Sequence, residues 1–380
     1  MIRPTLKHTL AAACGLAASL AHAQSANIAP NVTLYGDVEQ YLNHMRSSSG
    51  KSFTAVSDGA VLRSRIGFKG SEALASDLSV KFTLESGLSA DTGAQADTTV
   101  RFFDRQAWLG LASASAGELR LGRQNTAIFT RGGNVDFTAR TLGSIVNNFG
   151  VPARLDNDIA WISPVVQGLQ AELHCAPGES TVSSGSLAVY QYALDYSTGD
   201  FKATWAGLRA HPAANASVKQ IVGYDNVNVV YDWGQGKVYG AFVRSNNVTS
   251  SANGNTAANL LGATGALLST SMSADDASRY YNVWQLSADW RVTPALRVGG
   301  LWGKVIDTSH SGRNATGGAV GVYHDLSKRT TVYALAEAMH NDDNAGFRPT
   351  GSAAVSPNFA GSDVNGQTLS GAQVGVLHKF

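Results

Sequence analysis

The side chains of this 380-residue chain that could do chemistry are charged rather than nucleophilic. Arg63, Arg65 and Lys69 recur at even spacing around Ile66 and Phe68. Lys81 falls between Val80 and Phe82, and Arg120 between Leu119 and Leu121. A two-residue period puts such cations on one face of a strand and the apolar residues on the other. A row of fixed charge facing water can attract, repel or order small charged solutes. Breaking bonds needs a nucleophile, an acid–base pair or a metal, and the usual motifs for these are missing. There is no G-x-S-x-G elbow, H-E-x-x-H, P-loop or paired C-x-x-C. Gly234-Gln-Gly236 with Gly240 joins two strands without a following helix, so it reads as a turn and not a phosphate cradle. His8 and His22 fall in the N-terminal leader, and the other histidines show no ligand spacing. Asn341-Asp-Asp-Asn344 reads as a solvated loop tip rather than a cation site. No catalytic residue, metal or cofactor is expected.

Composition narrows what could position those charges. Gly is abundant with 40 copies, Pro scarce with 9, and charged residues make up 15%. The mean hydropathy of -0.07 is too polar for a helical membrane protein. Residues 1–23 contain Arg3 and Lys7, an apolar stretch from Thr9 to Leu20, and Ala21-His22-Ala23 ahead of Gln24, the three-part layout of a cleaved secretory signal. The expected organisation is therefore a signal segment at 1–23 and one domain at 24–380. Without Arg3 and Lys7 the 29 Lys+Arg fall to 27 against 28 Asp+Glu, a balance that gives no reason to expect a nucleic-acid partner. Cys14 lies in the signal, which leaves Cys175 as a single thiol with no internal disulfide to form.

After the signal no run approaches the roughly 18 apolar residues of a membrane helix. A membrane protein built without such helices must close a β-barrel, because every backbone N–H and C=O in lipid needs a partner. Period-two segments recur near 32–45, 61–71, 77–87, 101–113, 117–124, 157–164, 168–176, 187–198, 200–211, 219–233, 236–247, 279–293, 295–308, 313–326, 329–341 and 367–380. That predicts an all-β fold, a transmembrane antiparallel barrel of sixteen strands. Short turns such as Thr293-Pro294 alternate with long Ser-, Asn- and Gly-rich segments at 89–100, 125–156, 177–186, 247–278 and 341–366. Tyr35, Trp161, Tyr196, Tyr231, Trp233, Trp290, Tyr323 and Phe380 fall mostly near strand ends, where rings prefer the lipid interface. The segment at 125–156 is far longer than a hairpin loop. It carries Phe129, Val135, Phe137, Leu142, Ile145, Val146 and Phe149, too much apolar surface to stand in water. The inner wall of the barrel is its natural partner.

Val32-Thr-Leu-Tyr-Gly36, Arg65-Ile-Gly-Phe-Lys-Gly70 followed by Glu72, Gly117-Glu-Leu-Arg-Leu-Gly-Arg-Gln124, Asn157-Asp-Ile-Ala-Trp-Ile-Ser-Pro164 and the terminal His378-Lys379-Phe380 run in order along the chain. In these elements the sequence resembles the trimeric general porins of neisserial and betaproteobacterial type. The resemblance implies a homotrimer in the Gram-negative outer membrane, in contact with its lipid and lipopolysaccharide, passing small hydrophilic solutes and ions by diffusion. It implies a third loop folded inward to form a constriction, and a membrane-assembly role for Phe380. One side of that constriction would hold Arg63, Arg65, Lys69, Lys81 and Arg120, with Arg123 at the base of the loop. The loop side would offer acids, here Asp136 and Asp156 with Asp158 just beyond, yet it also carries Arg131, Arg140 and Arg154. Pairing with Glu85 and Glu118 is the alternative use of the wall cations. If the loop arginines reach the lumen, the narrow zone is net positive and a mild anion preference follows. Three other uses stay open: a channel specific for small organic anions, a barrel enzyme such as a phospholipase, or a plugged structural barrel. The family's ending often has a basic residue where Leu377 stands, and in the second-strand element an Asp commonly follows the Glu, where Ala73 stands after Glu72.

Overall fold

The computed structural model describes residues 31–96, 101–178, 188–212, 220–246, 278–350, 359 and 361–380. The signal segment 1–23 with Cys14, and most of the loop at 247–278, lie outside the described residues. Sixteen long strands follow one another: β1 Asn31–Ser47, β2 Arg65–Ala75, β3 Leu78–Ser89, β4 Gln106–Ser113, β5 Gly117–Asn125, β6 Arg154–Ile162, β7 Leu169–Ala176, β8 Val189–Thr198, β9 Phe201–Ala210, β10 Val222–Asp232, β11 Gly236–Ser245, β12 Tyr281–Arg291, β13 Leu296–Asp307, β14 Ala315–Asp325, β15 Thr330–Asn341 and β16 Thr368–Lys379. Each pairs antiparallel with its sequence neighbours, and β16 closes on β1 from Asp37↔Lys379 to Ser47↔Leu369. Closure leaves no open edge, the condition for strands in lipid. A short strand, Ser52–Ser57, folds back along the outer part of β1.

Alternation assigns the faces. On β1, Asp37, Glu39, Tyr41, Asn43 and Met45 are buried toward the lumen, while Leu34, Val38 and Leu42 are exposed outward. Register carries the assignment around the barrel, so Arg65, Lys69, Lys81 and Arg120 face inward while Phe68, Leu109 and Leu121 face out. Trp161, Tyr196, Tyr231, Trp233 and Trp290 are outward and exposed, as expected of an interfacial belt.

The structure corrects several local expectations. β2 begins at Arg65 and runs to Ala75, so Arg63 belongs to the first outer loop and the turn shrinks to Ser76-Asp77. Residues 101–105 belong to the second outer loop, and β6 starts at Arg154, three residues earlier than its alternation suggests. Tyr35 and Tyr323 point inward: Tyr35 donates to Glu85 at 3.0 Å, and Tyr323 is buried beneath Arg297. Both occupy lumenal register positions, and position along a strand says nothing about which face a ring takes.

Candidate functional site: the constriction

The third outer loop, residues 126–153, enters the barrel and supplies much of its core. Val135, Phe137, Leu142, Ile145, Val146 and Phe149 are all buried. Large side chains of this kind contribute about 1.5–3 kcal/mol each when buried, which more than explains why the loop leaves water. It begins with a 3-10 turn, Phe129–Asn134, and later forms one short helix, α1, Ile145–Phe149.

Glycine makes the room. Gly299 and Gly303 on β13, and Gly317 and Gly321 on β14, share the lumenal face. A methyl group at Gly303 would stand 3.1 Å from Ile145, one at Gly317 3.0 Å, and one at Gly321 would meet the Phe137 ring at 3.3 Å. The four missing side chains form a socket for those two apolar residues. Beside it, one lumenal residue of β12 holds two parts of the loop. Gln285 accepts the Ile145 N–H at 2.7 Å and donates to Asp136 at 2.8 Å. The other Asp136 oxygen accepts the N–H groups of Thr138 and Arg140. These bonds fix a bend in which Ala139 and Arg140 take left-handed backbone angles, φ 59° and 58°.

At its start the loop is tied electrostatically. Arg131 is buried and forks onto Asp195 of β8 through Nε and Nη2, and the same Nη2 also reaches Glu172 of β7 at 2.8 Å. His174 lies between Glu172 and Asp158, 2.6 Å from each. Asp158 is therefore a wall residue of β6, engaged by His174. Arg140 and Arg154 lie over the Phe129 ring, 4.3 and 4.8 Å from its centre. Burial lowers the Arg140 pKa to about 10, so this guanidinium still carries its charge at neutral pH. Arg123 and Arg101 hold separate oxygens of Asp156, at 2.5 and 2.7 Å, and Arg123 also donates to the Asp104 carbonyl. That group joins the second loop to the base of the third.

These contacts leave the loop lying along β7–β15, with β2–β5 uncovered. Leu142 meets the first outer loop through the Ala60 carbonyl. Along the residues of the inserted loop that reach water, Thr130, Gly133 and Ala139, there is no carboxylate. The facing wall is basic. A cavity of about 290 Å³ is lined by Lys69, Lys81 and Arg120, with Glu118 the one acid among its lining residues. Lys81 and Arg120 both bind Glu118, at 3.0 and 2.5 Å, and Arg120 stacks on Trp108. Higher on the wall Arg65 pairs with Asp37 and a buried Arg105 with Glu85, while Arg63 donates to the Ala96 carbonyl.

Sequence reading did not pick out Gln285, Glu172, Asp195, His174, Arg105 or the glycine socket. The lumenal periodicity of β7, β8 and β12 marks these positions as inward. The paired spacing Gly299…Gly303 and Gly317…Gly321 is the signal that could have located the socket.

Comparison with known proteins follows the same architecture. The family model for Gram-negative porins matches residues 9–344. Major outer membrane protein P.IB of Neisseria gonorrhoeae is 29% identical over 187 residues, covering 47% of this chain and 51% of that protein. The chain spans between about half and somewhat under two thirds of the length of these curated relatives. An anion-selective porin from Comamonas acidovorans shares the fold with a TM-score of 0.72 at 20% identity, over 92% of this chain and 100% of its own. The trimer form of OmpT from Vibrio cholerae does so at 0.63 and 14%, over 93% and 100%. With a closed sixteen-strand barrel, an inserted third loop and a family match over most of its length, the chain belongs to the Gram-negative porin family of the outer membrane, and the barrel-enzyme reading falls away.

Proposed function

We propose that this protein is a general diffusion channel for small hydrophilic solutes and ions, with a mild preference for anions. The observation that carries the sign is the asymmetry of the constriction. Asp136 is turned into the loop's own packing, so the loop offers no carboxylate to water, while the facing wall presents Lys69, Lys81 and Arg120. A field of one sign across a narrow aqueous passage concentrates ions of the other sign. The anion selectivity named for the Comamonas acidovorans porin, which shares the fold, agrees with this reading. Reversal potentials across a KCl gradient in planar bilayers test it: the wild type is expected to favour chloride, and a potassium preference would overturn the assignment.

The assembly is a homotrimer in this reading, supported by family membership and by the trimeric OmpT neighbour. Its other contacts are outer-membrane lipid and lipopolysaccharide. Phe380 serves as the membrane-assembly residue: its N–H and C=O exchange hydrogen bonds with Gly36 at 3.1 and 3.2 Å, and its ring covers that glycine. Deleting Phe380 should lower the yield of folded barrel in refolding experiments and leave the reversal potential unchanged. Normal yield would remove Phe380 from the assembly step.

A further inference from the structure

Beneath the third loop, toward the end of the barrel that bears the short turns, lies a second recess, separate from the basic wall of the constriction. It holds about 500 Å³, the size of a small-molecule site. The inserted loop borders it with Phe137, Thr138 and Ala139, and the first outer loop with Val61 and Leu62. Its cations outnumber the carboxylates open to it. Lys237, Arg291, Arg297 and Lys379 line the recess against Asp289 and Asp325, because Asp136 is taken up by Gln285, Thr138 and Arg140.

Fold stability does not explain that arrangement. Arg291 and Arg297 are register partners on the lumenal face of β12 and β13, and like charges directly opposite one another weaken a sheet. Arg291 turns away to the Gly234 carbonyl at 3.1 Å and to Asp232 at 3.5 Å. Arg297 stays in the recess. Its Nη1 donates to the Phe137 carbonyl at 2.7 Å and lies 3.5 Å from Asp289, and its guanidinium covers the Tyr323 ring, 4.4 Å from the centre. Its Nε and Nη2 take no acceptor among the described residues, and the side chain is 33% exposed. One edge of a stacked guanidinium is thus open, the geometry that holds a carboxylate through two parallel hydrogen bonds. Lys237, the register partner of Asp289, adds a second cation tied only loosely to Asp232, at 3.6 Å. Val61 and Leu62 are partly exposed and supply apolar lining. An inorganic anion would leave that lining unused, and a neutral ring would leave the cations unanswered.

We propose that this recess binds small aromatic monocarboxylates, the carboxylate on the open edge of Arg297 and on Lys237, the ring against Val61 and Leu62. The proposal rests on the diffusion-channel reading and adds a solute class that is held after it passes the constriction. It is tested by calorimetric titration of the full chain, folded in detergent, with benzoate, acetate and benzyl alcohol. Saturable binding of benzoate is expected, at least tenfold tighter than either of the others, weakened about thirtyfold in R297Q and about fivefold in K237Q. Lys237 touches no part of the third loop in the described contacts, so K237Q reads the site without disturbing the loop. Acetate or benzyl alcohol binding as tightly as benzoate overturns the site, as does benzoate affinity unchanged in both variants. Weakening confined to R297Q and accompanied by a changed open-channel conductance overturns it too, because the lost Phe137 carbonyl contact would then explain the effect. Calorimetry needs no current: a barrel that binds benzoate yet conducts nothing supports the site and sinks the channel, and one that conducts yet binds no benzoate does the reverse.

Discussion

The two halves of the inner wall are built from the same alternating strands and end up as different materials. On β12–β14 the lumenal positions that meet the third loop include Val283, Gln285, Gly299, Gly303, Gly317 and Gly321, small or uncharged residues that form a dry core with it, while Arg297 and Asp289 answer each other beside them at 3.5 Å. On β2–β5 they include Arg65, Lys69, Lys81, Glu85, Glu118 and Arg120, and the loop stays away. Desolvating that many charges would cost more than the loop's apolar contacts return, whereas an empty glycine socket loses nothing by being filled. The passage lies where it does because one wall rewards burial and the other resists it.

Breaking the dry side should have the largest effect. Phe137→Ala empties the socket formed by Gly299 and Gly321, and substitutions of this class cost about 3–5 kcal/mol. Denaturant unfolding of the purified barrel should show that loss, together with a larger and noisier single-channel conductance as the loop loosens. An unchanged conductance would mean the loop does not set the cross-section.

Arg131→Ala attacks the tether at the loop's other end. It leaves Glu172 and Asp195 without their shared cation, but Asp195 is partly open to water, so the expected cost is smaller, on the order of 1–3 kcal/mol. Current flicker on the millisecond scale should rise while mean selectivity stays anionic. Restoration of quiet openings by Arg131→Lys would show that charge suffices, and failure that the forked geometry is needed.

The wet side is sharpened by charge rather than by stability. Lys69→Glu with Lys81→Glu should move the reversal potential toward cation preference and change the unfolding midpoint little, because both side chains are at least partly exposed. A large stability loss with unchanged selectivity would reverse the roles assigned to the two walls.

The smallest effect concerns the outer rim, where Lys51 and Ser49 of the first loop hold Asp363 of the last, at 2.5 and 2.9 Å. Hydrogen bonds from Lys51 and then Ser49 lower the Asp363 pKa below its ordinary value. A lowered folded-state value means the clamp contributes above the unfolded pKa and is lost as pH falls through the folded one. Amide protection at Ser48, which donates to Thr368 across this junction, should therefore drop in acid. Asp363→Asn should abolish that pH dependence.

The sequence by itself determined the barrel. All sixteen strands, the faces of most of their residues apart from the rings of Tyr35 and Tyr323, and the insertion of the third loop were legible, because a period of two is local information and an apolar loop of that length has one place to go. Lys69, Lys81 and Arg120 could be assigned to the lumen on the same ground. Strand ends were less exact: Arg63 fell outside β2 because the run 61–71 alternates without saying where pairing begins. Only the tertiary structure decided which loop charges meet water. Arg131 is neutralised by Asp195, 64 positions away, and Asp136 is captured by Gln285, 149 positions away. Phe137 is positioned by Ser287, 150 positions away, and by glycines of β13 and β14. Charge in the sequence is a property of one residue, whereas a field in a pore depends on partners brought together by closing the sheet. That is why counting the arginines of the loop left the sign of the constriction open, and why the burial of one aspartate bears on it most.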